Sequence, residues 1–596
     1  MALITLTVLS DEGEKTVSGD GTTTVLRQLQ EAGIYVSAPC GSRGKCGKCK
    51  ITLLKGTVEI TAADRDCLSR AELDQGLRLA CQAFAREDLT IRVPKSEKNF
   101  EAVAGFDTSL LTANSLVKES YVPKKQALPF VRQLAGDRPA SLRELEEAAK
   151  LADIMGASAP SPDGAVREAA ESWEPVTVYR AGPAIAAIMA GGEKPHGIAI
   201  DIGTTTIAMV LIDLESGAIA RRVSVVNKQR EFGADVISRM QRARGGDLPR
   251  LMASVRKQIA EGAETLCREE GIRARTVARV VIAGNTTMLH LLLGLSPATL
   301  GFAPFTPVTL DYVTCNYREL FAGDLNCPVT MLPGISTYVG ADITAGLLFT
   351  GLYDAKRPEF FMDIGTNGEM ALVTPGKILA TATAAGPAFE GGNILWGTGS
   401  VPGAISQARY VDGAFRVKTI GDAEAAGICG SAVVDIVYEG LKNDLILPSG
   451  SFNKDRGVRE FFLAKTANGE DITFIQKDVR ELQLAKSAIR SGVEALLHFA
   501  GVTYGELGNL YIAGGFGFNL NFENGAGIGL IPPELKDRVR LIGNSALGGA
   551  AMYLLDRDAG PRLDQIAAIA VEYSLPEDRY FQEIFVDNIE FGEDDD

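Results

Sequence analysis

Phe360-Phe361-Met362-Asp363-Ile364-Gly365-Thr366-Asn367-Gly368-Glu369-Met370-Ala371-Leu372 echoes an earlier stretch, Ile198-Ala199-Ile200-Asp201-Ile202-Gly203-Thr204-Thr205-Thr206-Ile207-Ala208-Met209-Val210. Each is an apolar strand ending in Asp, then a Gly-Thr turn, then a second apolar run, which is the pattern of a β-hairpin. The turn leaves backbone N–H groups that the hairpin ladder does not use, and these can wrap a phosphate. The Asp beside them can hold Mg²⁺ through water. Two such hairpins facing each other can clamp one nucleotide.

The composition narrows what surrounds the clamp. A chain of 596 residues exceeds one core and predicts roughly three or four domains. With 46% hydrophobic and 23% charged residues and 64 glycines, it reads as globular and loop-rich. A formal charge of −15 and a pI near 5.0 argue against a nucleic-acid partner. No apolar run reaches the roughly 18 residues of a membrane span. The opening Met-Ala-Leu-Ile-Thr-Leu-Thr-Val has neither a basic start nor a long apolar run, so no signal peptide is expected. Nine cysteines, four of them clustered early and unevenly spaced, suggest metal ligation in a reducing cytoplasm more than disulfides. The expectation is a cytoplasmic, multidomain α/β protein.

Further motifs follow the first hairpin. Asn227 to Arg239 leads into a long helix, and Val280 to Met288 is a buried strand turning through Gly284-Asn285-Thr286-Thr287 into another. That turn either brings donors to the site or is an ordinary strand-to-helix connection. The small residues of Tyr338 to Gly346 suit a helix packed closely on a second one. Leu510-Tyr511-Ile512-Ala513-Gly514-Gly515-Phe516-Gly517 is a strand entering a Gly-rich turn, where backbone can approach a ring or ribose. Asn544 to Ala551 then starts a small-residue helix. No Gly-x4-Gly-Lys-Ser/Thr occurs, which disfavours a P-loop. The order of hairpin, helix, hairpin, Gly-Gly turn and helix is similar to the acetate and sugar kinase, Hsp70 and actin superfamily. That resemblance implies a duplicated, ribonuclease H-like fold closing on ATP and Mg²⁺.

The remaining reactive residues read mostly as structural. His290 and His498 sit in apolar helical runs, and Cys429 begins a helix behind a Gly-rich turn. Glu390, in Ala384 to Gly392, is the nearest extra carboxylate to the second hairpin. The acidic end, Glu593 to Asp596, reads as a solvated tail.

Near the start, Pro39-Cys40-Gly41-Ser42-Arg43-Gly44-Lys45-Cys46-Gly47-Lys48-Cys49 is followed about thirty residues on by Leu79-Ala80-Cys81-Gln82. Cys-x5-Cys-x2-Cys plus a distant fourth Cys resembles the 2Fe-2S ferredoxins, in which three ligands share one loop. The small intervening residues let N–H groups point at the sulfides. A structural zinc site competes, but such sites usually pair two Cys-x2-Cys knuckles and one is present. Cys67 is the alternative fourth ligand; Cys81 is preferred because Arg78 to Gln82 matches the ferredoxin fourth-ligand loop. A β-grasp ferredoxin domain is therefore expected over 1–95. A flexible linker is expected over 96–125 and a small α+β middle domain over 126–195, with helical periodicity from Val131 to Leu151, a capping box at Ser141 to Glu144, and a strand from Trp173 to Tyr179. The ATPase domain is expected over 196–596.

Taken across nearly its whole length, the chain resembles the ATP-dependent reductive activators of corrinoid proteins. Asn-Thr-Thr-Met-Leu-His (285–290), Asp-Ile-Gly-Thr-Asn-Gly-Glu (363–369), Ala-Ala-Gly-Pro-Ala-Phe-Glu-Gly (384–391) and Gly-Ile-Cys-Gly-Ser (427–431) carry it. The resemblance implies rescue of Co(II) corrinoid to the methyl-accepting Co(I) state, a homodimer, and an upstream low-potential electron donor. It assigns Cys40, Cys46, Cys49 and Cys81 to the cluster, and Asp201 and Asp363 to Mg²⁺ and the attacking water. Gly203, Thr204, Thr205, Gly365, Thr366 and Asn367 would cradle phosphates, and Gly514 and Gly515 would face the adenosine. A small-molecule kinase with a regulatory ferredoxin domain and a redox-sensing ATP switch are the alternatives.

Overall fold

Both Asp stretches form the hairpins that their alternation dictates. The computed structural model describes residues 4–93, 105–121, 176–189, 192–302, 305–516 and 520–592, except 11–12, 20, 33, 35, 37–41, 43, 46 and 182–183. Strand His196–Ile202 pairs antiparallel with Thr206–Asp213, and Glu359–Ile364 pairs antiparallel with Gly368–Thr374. Each hairpin lies inside a six-stranded sheet. The first runs Ile219–Val226, Thr206–Asp213, His196–Ile202, Val277–Gly284, Pro328–Met331, Val313–Asn316. The second runs Val539–Gly543, Leu510–Ala513, Glu359–Ile364, Gly368–Thr374, Lys377–Thr383, Ala570–Glu572. In both, the Asp strand sits between its hairpin partner and a parallel strand delivered by a long crossover. The two halves thus repeat one layout, the duplicated ribonuclease H-like α/β fold.

Helices Ala341–Thr350 and Ser545–Leu555 pack between the halves. Their small residues do what the sequence leads one to expect: a Cβ on Gly549 would lie 2.1 Å from the Ala345 carbonyl oxygen. Around this contact Leu347, Leu348, Phe361, Leu547 and Leu554 bury themselves in one core shared by both halves. Each such side chain contributes roughly 1.5–3 kcal/mol. The two helices thus join the halves through one shared core at the floor of the cleft.

The N-terminal sheet has the order Gly13–Gly19, Ile4–Ser10, Leu89–Arg92, Lys50–Lys55, Leu77–Leu79. Helix Val25–Glu31, capped by the Thr24 side chain, buries Val25, Leu26 and Leu29 against it, completing the β-grasp.

Two expectations change. Within the stretch expected to be a flexible linker, residues 105–121 are anchored. Phe106 packs edge-on against Phe349, the Asn114 and Ser115 N–H groups donate to the Leu555 carbonyl, and Val117–Tyr121 joins a small sheet with Val176–Ala181 and Ala184–Met189. Apolar side chains and unpaired strand groups give this segment a surface to bury against, which composition did not reveal. The long helix expected after Asn227 is interrupted: Val236–Arg242 and Leu248–Glu269 are separated where Gly246 takes a φ of +100°. The helical run from Val131 and the Ser141 capping box lie outside the described residues, as does the acidic tail; of the strand expected over Trp173 to Tyr179, the described part falls in Val176–Ala181. Among the described residues no helix is long and apolar enough to cross a membrane.

Candidate functional site

The two hairpin turns come together. Thr205 of the first donates to Glu390 Oε2 at 2.8 Å, and Thr366 of the second donates to the same oxygen. The two hydroxyls lie 3.4 Å apart. Glu390 ends the short turn Pro387–Glu390, held in place by packing of Phe389 on Phe516, 4.6 Å between ring centres. One carboxylate therefore ties both candidate phosphate loops together.

Each turn is braced from behind. The Gly203 N–H donates to the Thr206 carbonyl, and Gly365 N–H to that of Asn367. Asn227 donates to the Gly203 carbonyl at 2.9 Å, and Asn285 donates to Thr204 Oγ1 at 3.1 Å. Arg239, fully buried, donates to the Thr204 carbonyl at 2.5 Å and to that of Gly233 at 2.9 Å. The Gly284 to Thr287 turn is a capped strand-to-helix connection, Asn285 accepting from the Met288 N–H, and it also reaches the first hairpin turn at Thr204.

Asp201 and Asp363 are half-buried between the halves. Burial raises the Asp201 carboxyl to about 7, against a 2.8 Å hydrogen bond from Asn544 that lowers it and an Asp342 charge that raises it. Burial likewise raises Asp363 to about 8, with the charges of Asp342, Asp201 and Glu390 adding to it. Asp342 rises to about 6, again through burial, and Glu369 lies well above its ordinary range for the same reason, with Asp342 and Asp363 adding. Glu369 faces Asp363 directly across the ladder, where Ala208 faces Asp201 in the first hairpin. Carboxyls held so close hold protons more tightly, or else favour a cation.

Among the described residues no three His, Cys, Asp or Glu side chains group tightly enough to hold a metal directly. The donor set fits Mg²⁺ that keeps its waters and leans on one or two carboxylates and a phosphate. Gly514, at a φ of +88°, meets Asp363: a Cβ there would lie 2.7 Å from Oδ1. Its missing side chain makes room for the carboxylate, whereas Gly515 is exposed with nothing within 4 Å of its own Cβ position. Of the pair expected to face adenosine, Gly515 has the open side.

In the N-terminal domain Cys49 and Cys81 are both buried, and the Ala80 N–H donates to the Cys49 carbonyl at 2.8 Å, so adjacent strand ends bring the two cysteines together. Ser42, Gly44 and Gly47 take left-handed conformations that turn the loop around. Gln82 donates to the Ser42 carbonyl at 2.9 Å, locking the Cys81 segment onto that loop. Cys40 and Cys46 lie outside the described residues. Cys67 also touches the loop, its thiol 3.3 Å from the Gly44 carbonyl. Two buried cysteines on adjacent strand ends, one tied through Gln82 to the Ser42 segment, fit an iron–sulfur cluster.

Sequence reasoning missed Asn544, Asp342 and Glu369 as members of the site. Glu369 had a signal, a carboxylate inside an otherwise apolar strand; Asn544 read only as the start of a small-residue helix, since its reach to Asp201 depends on how the halves pack. The histidines are absent from the cleft. His290 bonds the Thr286 carbonyl and accepts from the Val308 N–H, and His498 stacks on Tyr580. Cys429 is buried, its sulfur 3.0 Å from Ser431 Oγ.

Residues 8–86 match a 2Fe-2S iron–sulfur cluster binding domain, 196–355 the RACo middle region, and 357–596 the C-terminal domain of RACo, described as the ASKHA domain. The chain is 35% identical over 424 residues to the corrinoid activation enzyme RamQ of Eubacterium limosum, covering 67% of this chain and 71% of that one. It is 28% identical over 414 residues to the [Co(II) methylated amine-specific corrinoid protein] reductase of Methanosarcina barkeri, covering 63% and 72%. Its structure is similar to one titled reductive activator for corrinoid, iron–sulfur protein, with a TM-score of 0.69, 29% identity, and coverage of 98% and 97%.

Proposed function

This chain belongs to the ATP-dependent reductive activators of corrinoid proteins, and from that premise we propose that it passes one electron from its cluster to a Co(II) corrinoid protein, using ATP. The observation that carries the reading is the joining of both hairpin turns at Glu390, in a chain whose cysteine domain rests on the same ATPase domain. The electron that converts Co(II) to Co(I) would be supplied by the cluster, while water cleaves ATP to ADP and phosphate.

The residues divide the work. Thr205, Thr366 and the N–H groups of the two turns bind the phosphates, with Gly203, Thr204, Gly365 and Asn367 shaping those turns. Asp363 orients the attacking water and, with its carboxyl near neutrality, can take its proton. Asp201, held by Asn544, would lean together with Asp363 on the hydrated Mg²⁺ that offsets phosphate charge. Gly515 lies along the nucleoside. Cys40, Cys46, Cys49 and Cys81 would hold the cluster, which supplies a one-electron reductant near about −400 mV in plant-type examples. Moving an electron a further 100 mV uphill costs about 2.3 kcal/mol, a gap that nucleotide turnover can cover. A homodimer and an upstream low-potential donor complete the reading.

The test is Asp363→Ala. It should retain a reducible cluster and lose ATP-dependent corrinoid reduction; unaltered activation would end the role assigned to Asp363. ATPase activity should also rise when a Co(II) corrinoid protein is added. A kinase would instead yield a phosphorylated metabolite.

A further inference from the structure

Two side chains of the cysteine domain reach across to the ATPase domain, and they land on opposite halves of it. Gln30 donates to the Glu231 carbonyl at 3.3 Å, and Lys48 donates to the Leu395 carbonyl at 3.3 Å. Glu231 closes the turn Lys228–Glu231, which is capped by Asn227. Asn227 in turn bonds the Gly203 carbonyl through its side chain, and its own N–H donates to the Thr205 carbonyl at 2.8 Å. Leu395 follows Glu390 in the second half, its N–H fixed at 2.8 Å by the buried Asp478 at the head of helix Gln476–Ala500. Lys48 immediately precedes Cys49. The cysteine domain therefore touches both halves, with one foot behind the first phosphate hairpin and the other on the segment that follows Glu390.

Glu390 links those halves at the two hairpin turns, since Thr205 belongs to one and Thr366 to the other. Each hydroxyl has one proton to donate. A phosphate oxygen is the same kind of acceptor as a carboxylate and, being anionic, repels it. Phosphate and Glu390 cannot both hold the two threonines.

We propose that Glu390 is the positioning residue through which the cysteine domain registers the nucleotide: phosphate takes Thr205 and Thr366 from Glu390, the halves change separation, and the feet at Glu231 and Leu395 move the cluster loop with them. The inference rests on the ATP-dependent reading above and adds to it how the clamp reaches the cluster.

The experiment uses the full, cluster-loaded chain without any corrinoid partner. Binding of a β,γ-imido ATP analogue is measured by calorimetry, and the electron paramagnetic resonance signal of the reduced cluster is recorded with and without it. Wild-type should show a nucleotide-dependent change in that signal. Glu390→Ala should bind the analogue roughly tenfold tighter, its competitor gone, and lose the spectral response. Glu390→Gln, which keeps the shape and one acceptor oxygen, should fall between. Lys48→Ala should bind the analogue as wild-type does while its cluster no longer responds. Weaker binding by both Glu390 variants at full cluster content, or an undiminished response in Lys48→Ala, or no response in wild-type, overturns the proposal. Failure of wild-type to bind the analogue at all would instead sink the ATP-dependent reading itself.

Discussion

Asp363 has a carboxyl whose proton affinity in the fold, near 8, exceeds its ordinary value of 3.8 because burial and three neighbouring carboxylates disfavour its charge. A carboxyl raised in this way stabilises the fold below its unfolded value, and that contribution is lost as pH rises through the folded one. Without nucleotide, the melting temperature of the chain should therefore fall between about pH 4 and pH 8. Asp363→Asn removes one of the opposed charges and should raise the midpoint at pH 8 by roughly 2–4 °C, flattening the profile; a lowered midpoint there would contradict the electrostatics. Asn544→Ala strips Asp201 of its hydrogen bond, and a bond to a charged group is worth about 1.5–3 kcal/mol. ATPase kcat/KM should drop at least tenfold in that variant while cluster content stays constant. At this scale the sequence exposed the two Asp residues and the threonines because their spacing repeats. Asn544 and Asp342 could not be seen, since their partners lie on strands distant in sequence.

Among the elements, the hairpins were legible because an apolar run ending in Asp and a Gly-Thr turn are local signals, and so was the pairing of small-residue helices. The interruption of the helix at Gly246 was obscured by helix-forming residues on both sides. Docking of residues 105–121 depends on a surface built by Leu554 and Leu555, more than four hundred residues away in sequence. The helix pair gives a clean prediction. Gly549→Ala drives a methyl into the Ala345 carbonyl, 2.1 Å away, and should lower the denaturant stability of the ATPase domain by about 1–3 kcal/mol. Gly245→Ala, with open space around it and an exposed position, should change stability by less than about 0.5 kcal/mol. Equal effects would mean that the two helices do not meet as closely as described.

For the whole molecule, the repeated half, the cysteine domain and the two feet between them make one arrangement: a nucleotide clamp with an electron source resting across it. The cysteine loop touches the second half directly through Lys48. Membership of the corrinoid activators gives that arrangement its purpose. The most direct measurement mixes the reduced, cluster-loaded protein with a Co(II) corrinoid protein and follows the absorption spectrum with and without ATP. The account predicts that the Co(I) spectrum accumulates with ATP and not without it, and that Asp363→Ala abolishes the difference. Equal Co(I) formation in the absence of ATP, or none in its presence, would contradict it.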